Sequence, residues 1–266
     1  HAFVRAAIER GAVCALVCKE MDEDICAFAR EQGAAIIRVA DTALAIVDLA
    51  RGWRERIGAR IIGVTGSTGK TTTKNLIRDV LSTTYRVTAT RGNQNNELGA
   101  PRTLLASDED TQVCVVEMGM QNTGELDYLC TFIRPDWGVI VSVGESHIEY
   151  LGSRENIARA KAELFANLPE GGMAFVNAAD EFAEFACEVG GLRERGVRCS
   201  TFDGTGECAD VACSLGGDMS DGHVRVWAED IALDEAGRAS FTLCIERHDA
   251  RTSTERTSCA LGLRGL

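Results

Sequence analysis

The stretch RIIGVTGSTGKTTTKNLIRDVL, residues 60–81, decides the fold. Arg60–Thr65 is an apolar run of strand length, and the segment from Lys70 to Leu81 has a helical pattern. Between them lies the turn Gly66-Ser67-Thr68-Gly69. Such a turn, set between a buried strand and a helix, lets successive backbone N–H groups point at a phosphate. Lys70 can then reach the outer phosphates of a nucleotide, and the Thr71 hydroxyl can ligate Mg²⁺. The strict pattern wants glycine where Val64 stands, and Gly63 is one residue too early. The strand before and the helix after are the context the motif needs. Gly66, Ser67, Thr68, Gly69, Lys70, Thr71 and Thr72 are therefore read as a loop that binds ATP or GTP.

On the amino-terminal side, residues 2–10 show helical spacing and stop at Gly11. Residues 12–18 and 35–39 are strand-like, and Met21–Arg30 and Thr42–Trp53 are helix-like. This is an α/β segment of about 55 residues, small for an independent core. On the carboxyl side, residues 85–90, 112–117, 137–143, 173–177 and 197–202 are strand candidates, and residues 124–132, 154–168 and 180–188 are helix candidates. Residues 112–117 and 137–143 run apolar almost without alternation, as strands buried on both faces do. The alternation predicts an α/β fold: a central, mostly parallel sheet carrying the phosphate loop, preceded by the end of a small α/β domain. Residues 224–231, 239–246 and 259–263 predict an antiparallel addition around an Asp-Glu-Ala-Gly turn, and residues 247–257 read as a mobile polar loop.

Composition narrows the partners. Acidic residues outnumber basic ones 40 to 28, a formal charge of −12, which repels nucleic acid and anionic membranes. No nucleic-acid partner and no membrane insertion are expected, since no apolar stretch approaches the roughly 20 residues that cross a bilayer. The 11 cysteines are odd in number and lie within apolar runs rather than at framework spacings. They read as reduced, buried small hydrophobes of a cytoplasmic protein. Cys208 and Cys213 lack the second close pair of a four-thiolate zinc site.

Several residues near strand ends carry candidate chemistry. Glu117 ends a buried strand, where a carboxylate enters the same crevice as the phosphates and can hold Mg²⁺ beside Thr71. A surface acid capping a helix is the alternative. His147 follows another strand and reads equally as a metal ligand, a base or a loop residue. Lys161 falls on the apolar stripe of Ile157 and Leu164. It reads either as a lysine snorkelling to water or as a functional amine facing the crevice. Asn93, Asn95 and Asn96 form either a turn or a polar recognition loop.

The segments TGSTGKTTTK (65–74), GNQNNELGAPRTLL (92–105), EMGMQNTGEL (117–126), RPDWGVIVSVGESHIEYLGSRENIARAKAELF (134–165) and NAAD (177–180) together resemble the Mur ligases of peptidoglycan synthesis, and among them the dipeptide-adding members. Val64 at the first loop position is itself usual in that family. Ser142-Val143-Gly144 stands where Asn-Ile-Gly is common. The resemblance implies a three-domain, monomeric enzyme. Residues 1–56 would be the end of a UDP-sugar-binding domain and residues 57–266 an ATP-binding domain incomplete at its end, with a carboxy-terminal domain absent. Arg264-Gly265 resembles the start of a Gly-x-His-Asn segment whose Asn helps hold adenine in relatives.

The resemblance also implies roles. Thr71 and Glu117 would ligate the Mg²⁺ shared with ATP, and Glu117 and His147 a second Mg²⁺. Lys161 would be carbamylated, supporting that second ion. Lys70, Glu117, His147 and Lys161 would form the catalytic set, and Asn93, Asn95 and Asn96 would contact substrate. The implied substrates are UDP-N-acetylmuramoyl-tripeptide and D-alanyl-D-alanine. A sister ligase adding one amino acid, or a P-loop NTPase that ligates nothing, are the competing readings.

Overall fold

The computed structural model describes residues 1–205, 223–248 and 253–264. The amino-terminal part comprises α1 (Val4–Glu9), β1 (Cys14–Val17), α2 (Glu23–Glu31), β2 (Ala35–Arg38) and α3 (Thr42–Arg54). β1 and β2 pair in parallel, Cys14 opposite Ala35 and Val17 opposite Arg38. Val4, Ile8, Val17 and Ala29 make a small separate core. Asp41 caps α3, accepting from the Ala43 and Leu44 N–H groups at 2.7 and 3.2 Å. Val47 and Ala50 of α3 belong to the core of the large sheet. Trp53 Nε1 donates to Ser107 O at 2.9 Å, fastening the end of the helix to that sheet's layer.

The rest of the chain builds that sheet. Its elements are β3 (Arg60–Thr65), α4 (Lys70–Leu81), β4 (Val87–Ala89), α5 (Ala100–Leu105), β5 (Val113–Glu117), α6 (Glu125–Ile133), β6 (Trp137–Ile140), α7 (Ile148–Leu151), α8 (Arg154–Ala166), β7 (Met173–Asn177), α9 (Ala183–Val189), β8 (Arg198–Asp203), β9 (His223–Leu233), β10 (Arg238–His248) and β11 (Ser253–Arg264). The strand order is β11-β10-β9-β8-β7-β6-β3-β5-β4. Pairing is parallel from β4 to β9 and antiparallel through β9, β10 and β11. The expected α/β fold with a mostly parallel sheet is the one observed.

Helices α3, α5, α6, α8 and α9 share one core with the sheet, built on residues such as Leu104, Phe132, Ile157 and Phe165. On the other face, Ile77 and Leu81 of α4 pack against Ile62, Val64, Val115 and Val139. Gly63 proves to be a packing glycine. A Cβ there would come within 2.9 Å of Met118 Sδ and 3.0 Å of Leu164 Cδ1, so helix α8 needs its absence.

Three expectations are corrected. β6 ends at Ile140, not Val143: Val141 N still donates to Thr65 O of β3, but Ser142 O turns to accept from Ser67 N of the phosphate loop and Val143 N donates to Asp180 Oδ2. Within residues 247–257, Arg247 and Ser253–Thr257 are paired strand rather than mobile loop, with Arg247 opposite Ser253 and Leu243 opposite Thr257. β-branched Thr254 and Thr257 suit a pleated surface, and an Arg247–Glu255 ion pair joins the two strands; residues 249–252 lie outside the described residues. Finally, Cys14 at the start of β1 and Cys18 just past its end are exposed, because the small sheet leaves them uncovered, and Cys26 and Cys259 are only half-buried. Cys114, Cys130, Cys187, Cys199 and Cys244 are buried thiols outside any disulfide, as expected, and Cys208 and Cys213 lie outside the described residues. Among the described residues no helix is long and apolar enough to cross a membrane.

Candidate nucleotide and metal site

β3 lies between β5 and β6, so the chain leaves its carboxyl end at the point where the strand order reverses. In open α/β sheets that crevice is where ligands bind. The phosphate loop spans it. Gly69 precedes α4 with φ +78, a left-handed conformation, and a Cβ there would lie 3.1 Å from Val141 Cγ1. The segment after β6 holds the loop from the other side. Ser67 N donates to Ser142 O at 2.8 Å, Thr68 N to Ser142 Oγ at 3.1 Å, and Gly144 N to Ser67 Oγ at 2.8 Å. Lys70 folds over the loop and donates to Gly66 O at 2.6 Å. Burial lowers its pKa, and the Glu117 carboxylate opposes that shift.

Glu117 is 1% exposed and surrounded by donors. Thr71 Oγ1 donates to its two oxygens at 3.0 and 3.2 Å, and Asn95 Nδ2 to Oε1 at 2.9 Å. Lys74 Nζ stands 3.4 Å from Oε2. The Glu117 N–H donates to Thr90 Oγ1 at 2.9 Å, which locks the end of β5. The helix-capping alternative for Glu117 is thereby overturned: the carboxylate faces the phosphate loop. Lys74 was not singled out by its residue type. The signal was nevertheless present, since positions three apart on a helix share a face and Thr71 points at the crevice.

His147 adopts φ +69 before α7, and its ring lies 6.4 Å from that of Tyr150. It lines a cleft of about 920 Å³ together with Lys70, Asn93, Asn95, Asn96 and the segment from Gly119 to Glu125. Asn96 Oδ1 accepts from Gly99 N at 3.0 Å, so its oxygen serves the turn into α5 while the residue still borders the cleft. Thr72 is exposed on α4.

Lys161 does not snorkel. It is 1% exposed on α8, a helix buried from Ile157 to Phe165 except at Arg159, and its amine makes no hydrogen bond or ion pair with the described residues. Burial, with a smaller push from the Lys70 charge, lowers its pKa to about 7. No hydrogen bond joins His147 or Lys161 to Glu117 among the described residues. Among the described residues no group of three or more His, Cys, Asp and Glu side chains is arranged to hold a metal ion by itself. The candidate metal donors instead mix a hydroxyl, a carboxylate, an imidazole and an amine. Thr71 and Glu117 place hard oxygen atoms side by side, which fits Mg²⁺.

Residues 64–229 match the family model described as the Mur ligase middle domain. The chain belongs to the Mur ligase family. This Mur ligase chain is 45% identical over 173 residues to the UDP-N-acetylmuramoyl-tripeptide–D-alanyl-D-alanine ligase of Bacillus subtilis, covering 65% of the chain and 36% of the relative. It is 36% identical over 202 residues to the same-named ligase of Mycobacterium bovis, covering 76% of the chain and 35% of the relative. A crystal structure of MurF from Acinetobacter baumannii superposes with a TM-score of 0.70 at 29% identity, covering 95% of this chain and 54% of that one. The Mur ligase chain thus spans about a third of the length of the curated relatives it matches.

Proposed function

We propose that this Mur ligase joins D-alanyl-D-alanine to UDP-N-acetylmuramoyl-tripeptide at the expense of ATP, a cytoplasmic step in making peptidoglycan precursors. The observation that carries the reading is the buried Glu117 carboxylate held between Thr71 of the phosphate loop and Asn95 of the asparagine loop. One side chain thereby joins a nucleotide site to a polar recognition loop, as an enzyme acting on both ligands needs. In this reading residues 1–56 belong to the UDP-sugar-binding part and residues 57–266 to the ATP-binding part.

Making an amide from a carboxylate with ATP takes two displacements. The tripeptide carboxylate attacks the γ-phosphorus, the bond to the bridging oxygen of ADP breaks, and an acyl phosphate results. The dipeptide amine then attacks the acyl carbon, phosphate leaves, and the amine's surplus proton passes to solvent. Neither step needs a protein nucleophile. The N–H groups of residues 66–71 and the Lys70 ammonium bind the nucleotide phosphates and offset their charge. Asn93, Asn95 and Asn96 orient the peptide substrate at the cleft that Lys70 also lines.

Thr71 and Glu117 would hold one Mg²⁺, and Glu117 and His147 a second, which when bound supply positive charge to the transferring phosphoryl group. Lys161 would serve the second site as a carbamate: its neutral amine adds to CO₂, a C–N bond forms, and one proton is released. Its burial, its lack of partners among the described residues and its pKa near 7 support this reading, since a neutral amine is available at ordinary pH.

Incubating the purified ligase with UDP-N-acetylmuramoyl-tripeptide, ATP and D-alanyl-D-alanine, and weighing the product by mass spectrometry, tests the proposal. The expected product gains one dipeptide. An unchanged peptide mass, with or without ATP hydrolysis, would sink it.

A further inference from the structure

Lys74 and Lys161 are both 1% exposed, and the reaction above gives a part only to Lys161. Burying an ammonium is costly unless charges and acceptors meet it, and a methionine would fill similar space without that cost. The Lys74 ammonium has two such partners. It stands 3.4 Å from Glu117 Oε2 and donates to Gly92 O at 3.2 Å. The two contacts lie in different parts of the site. Glu117 is the carboxylate shared with Thr71, and Gly92, at φ +57, opens the loop that carries Asn93, Asn95 and Asn96.

The division of labour on Glu117 is specific. Oε1 receives Asn95 Nδ2, Oε2 faces Lys74 Nζ, and Thr71 Oγ1 reaches both. With Lys74 removed, Oε2 keeps the Thr71 hydroxyl alone, and the carboxylate can rotate about its last bond. The carbonyl of Gly92 loses its side-chain donor at the same time. We propose that Lys74 is a positioning residue: one buried ammonium, three residues beyond Thr71 on α4, fixes both the Glu117 carboxylate and the entry of the asparagine loop. The nucleotide half and the peptide half of the site are thereby held in one register. The inference rests on the ligase reading only for the identity of the bound molecules.

The test uses the chain itself, Mg²⁺ and a non-hydrolysable ATP analogue in which nitrogen bridges the β and γ phosphates. Calorimetry with Mg²⁺ and with EDTA separates the metal-dependent part of nucleotide affinity from the rest. Hydrogen exchange at the Asn95 and Gly119 amides, which are bonded to Asn93 O and Asn95 O, reports the loop. In K74M the Mg²⁺-dependent gain should fall by about 10-fold or more, with affinity in EDTA unchanged, as expected when a group that orients a metal ligand is lost. Both amides should exchange faster. K74Q keeps a donor for Gly92 O without the charge, so it should lose the Mg²⁺ gain yet retain loop protection.

Unchanged Mg²⁺ gain and unchanged protection in K74M would overturn the proposal. So would failure of both K74M and K74Q to fold beside a K74R variant that folds, since the charge would then be a requirement of folding alone. Absence of nucleotide binding by the unaltered chain would count against the ligase reading, while the exchange rates would still decide the role of Lys74 in the loop.

Discussion

Thr71 Oγ1 bridges the two carboxylate oxygens of Glu117, at 3.0 and 3.2 Å, across the crevice between α4 and β5. A hydroxyl that donates to a carboxylate still has lone pairs to offer, so both groups can face one cation together. Glu117→Gln keeps the shape and removes the charge. Ligation should fall by about 100-fold or more, the scale of losing one electrostatic contact in a transition state. Nucleotide binding in EDTA should persist. Ligation within a few-fold of the unaltered enzyme would refute the metal assignment.

Asn95→Ala removes the 2.9 Å donor to Glu117 Oε1 and a polar group from the cleft. The KM for the UDP-linked peptide should rise by about 10-fold, equivalent to roughly 1.4 kcal/mol, with a smaller change in the KM for ATP. Gly119→Ala should mimic it, since a Cβ there would lie 2.9 Å from Asn95 Oδ1. Steady-state kinetics with each substrate varied in turn checks both variants; an effect confined to ATP would contradict the assigned role.

Gly69→Ala places a side chain in a left-handed residue and 3.1 Å from Val141 Cγ1. The conformation alone should cost about 1–2 kcal/mol of stability. Because the same residue aims the first N–H groups of α4, nucleotide affinity should fall too. Urea unfolding and calorimetric titration measure the two losses separately.

Lys161→Met is expected to stabilise the protein while abolishing ligation. The amine has a folded-state pKa of about 7 against 10.5 when exposed. Between those values the unfolded chain binds the proton and the folded chain does not, so stability rises with pH across this window. The penalty is complete at and below pH 7 and gone above 10.5. In CO₂-free buffer the variant should therefore gain most, by a few kcal/mol, near pH 7 and below, with the gain shrinking toward alkaline pH. Denaturation curves at several pH values decide it: a pH-independent difference would contradict a buried titrating amine.

Local patterns made much of the fold legible. The expected strands Arg60–Thr65 and Met173–Asn177 and the expected helix Lys70–Leu81 have the bounds observed, because each is a continuous pattern bounded by turns. The candidate site was legible wherever a motif fixes the side chain's direction, as at Thr71, or where a strand end does, as at Glu117. It was not legible where contact crosses the chain. Lys74 meets Gly92 across 18 positions, and no helical periodicity reveals that an ammonium on α4 will be enclosed. The depth of Lys161 was hidden likewise, since a lysine on an apolar stripe reaches water unless neighbouring elements cover it. The first half of β11, residues 253–257, escaped because polar, β-branched residues resemble loop when their partner strand is unknown.

The central place of β3 bears on how the protein acquires its site. Its neighbours β5 and β6 begin at residues 113 and 137, so the crevice is assembled from segments tens of residues apart. Only the phosphate loop itself is local; Glu117, Asn95 and the segment at Ser142 that complete the site come from elsewhere in the chain. Loop closure must precede every one of these contacts, which slows folding relative to a helical bundle of equal length. A nucleotide can then recognise only the finished sheet. By mass action it should drain the unfolded population toward that sheet, making ligand concentration a control on how much of the chain survives proteolysis.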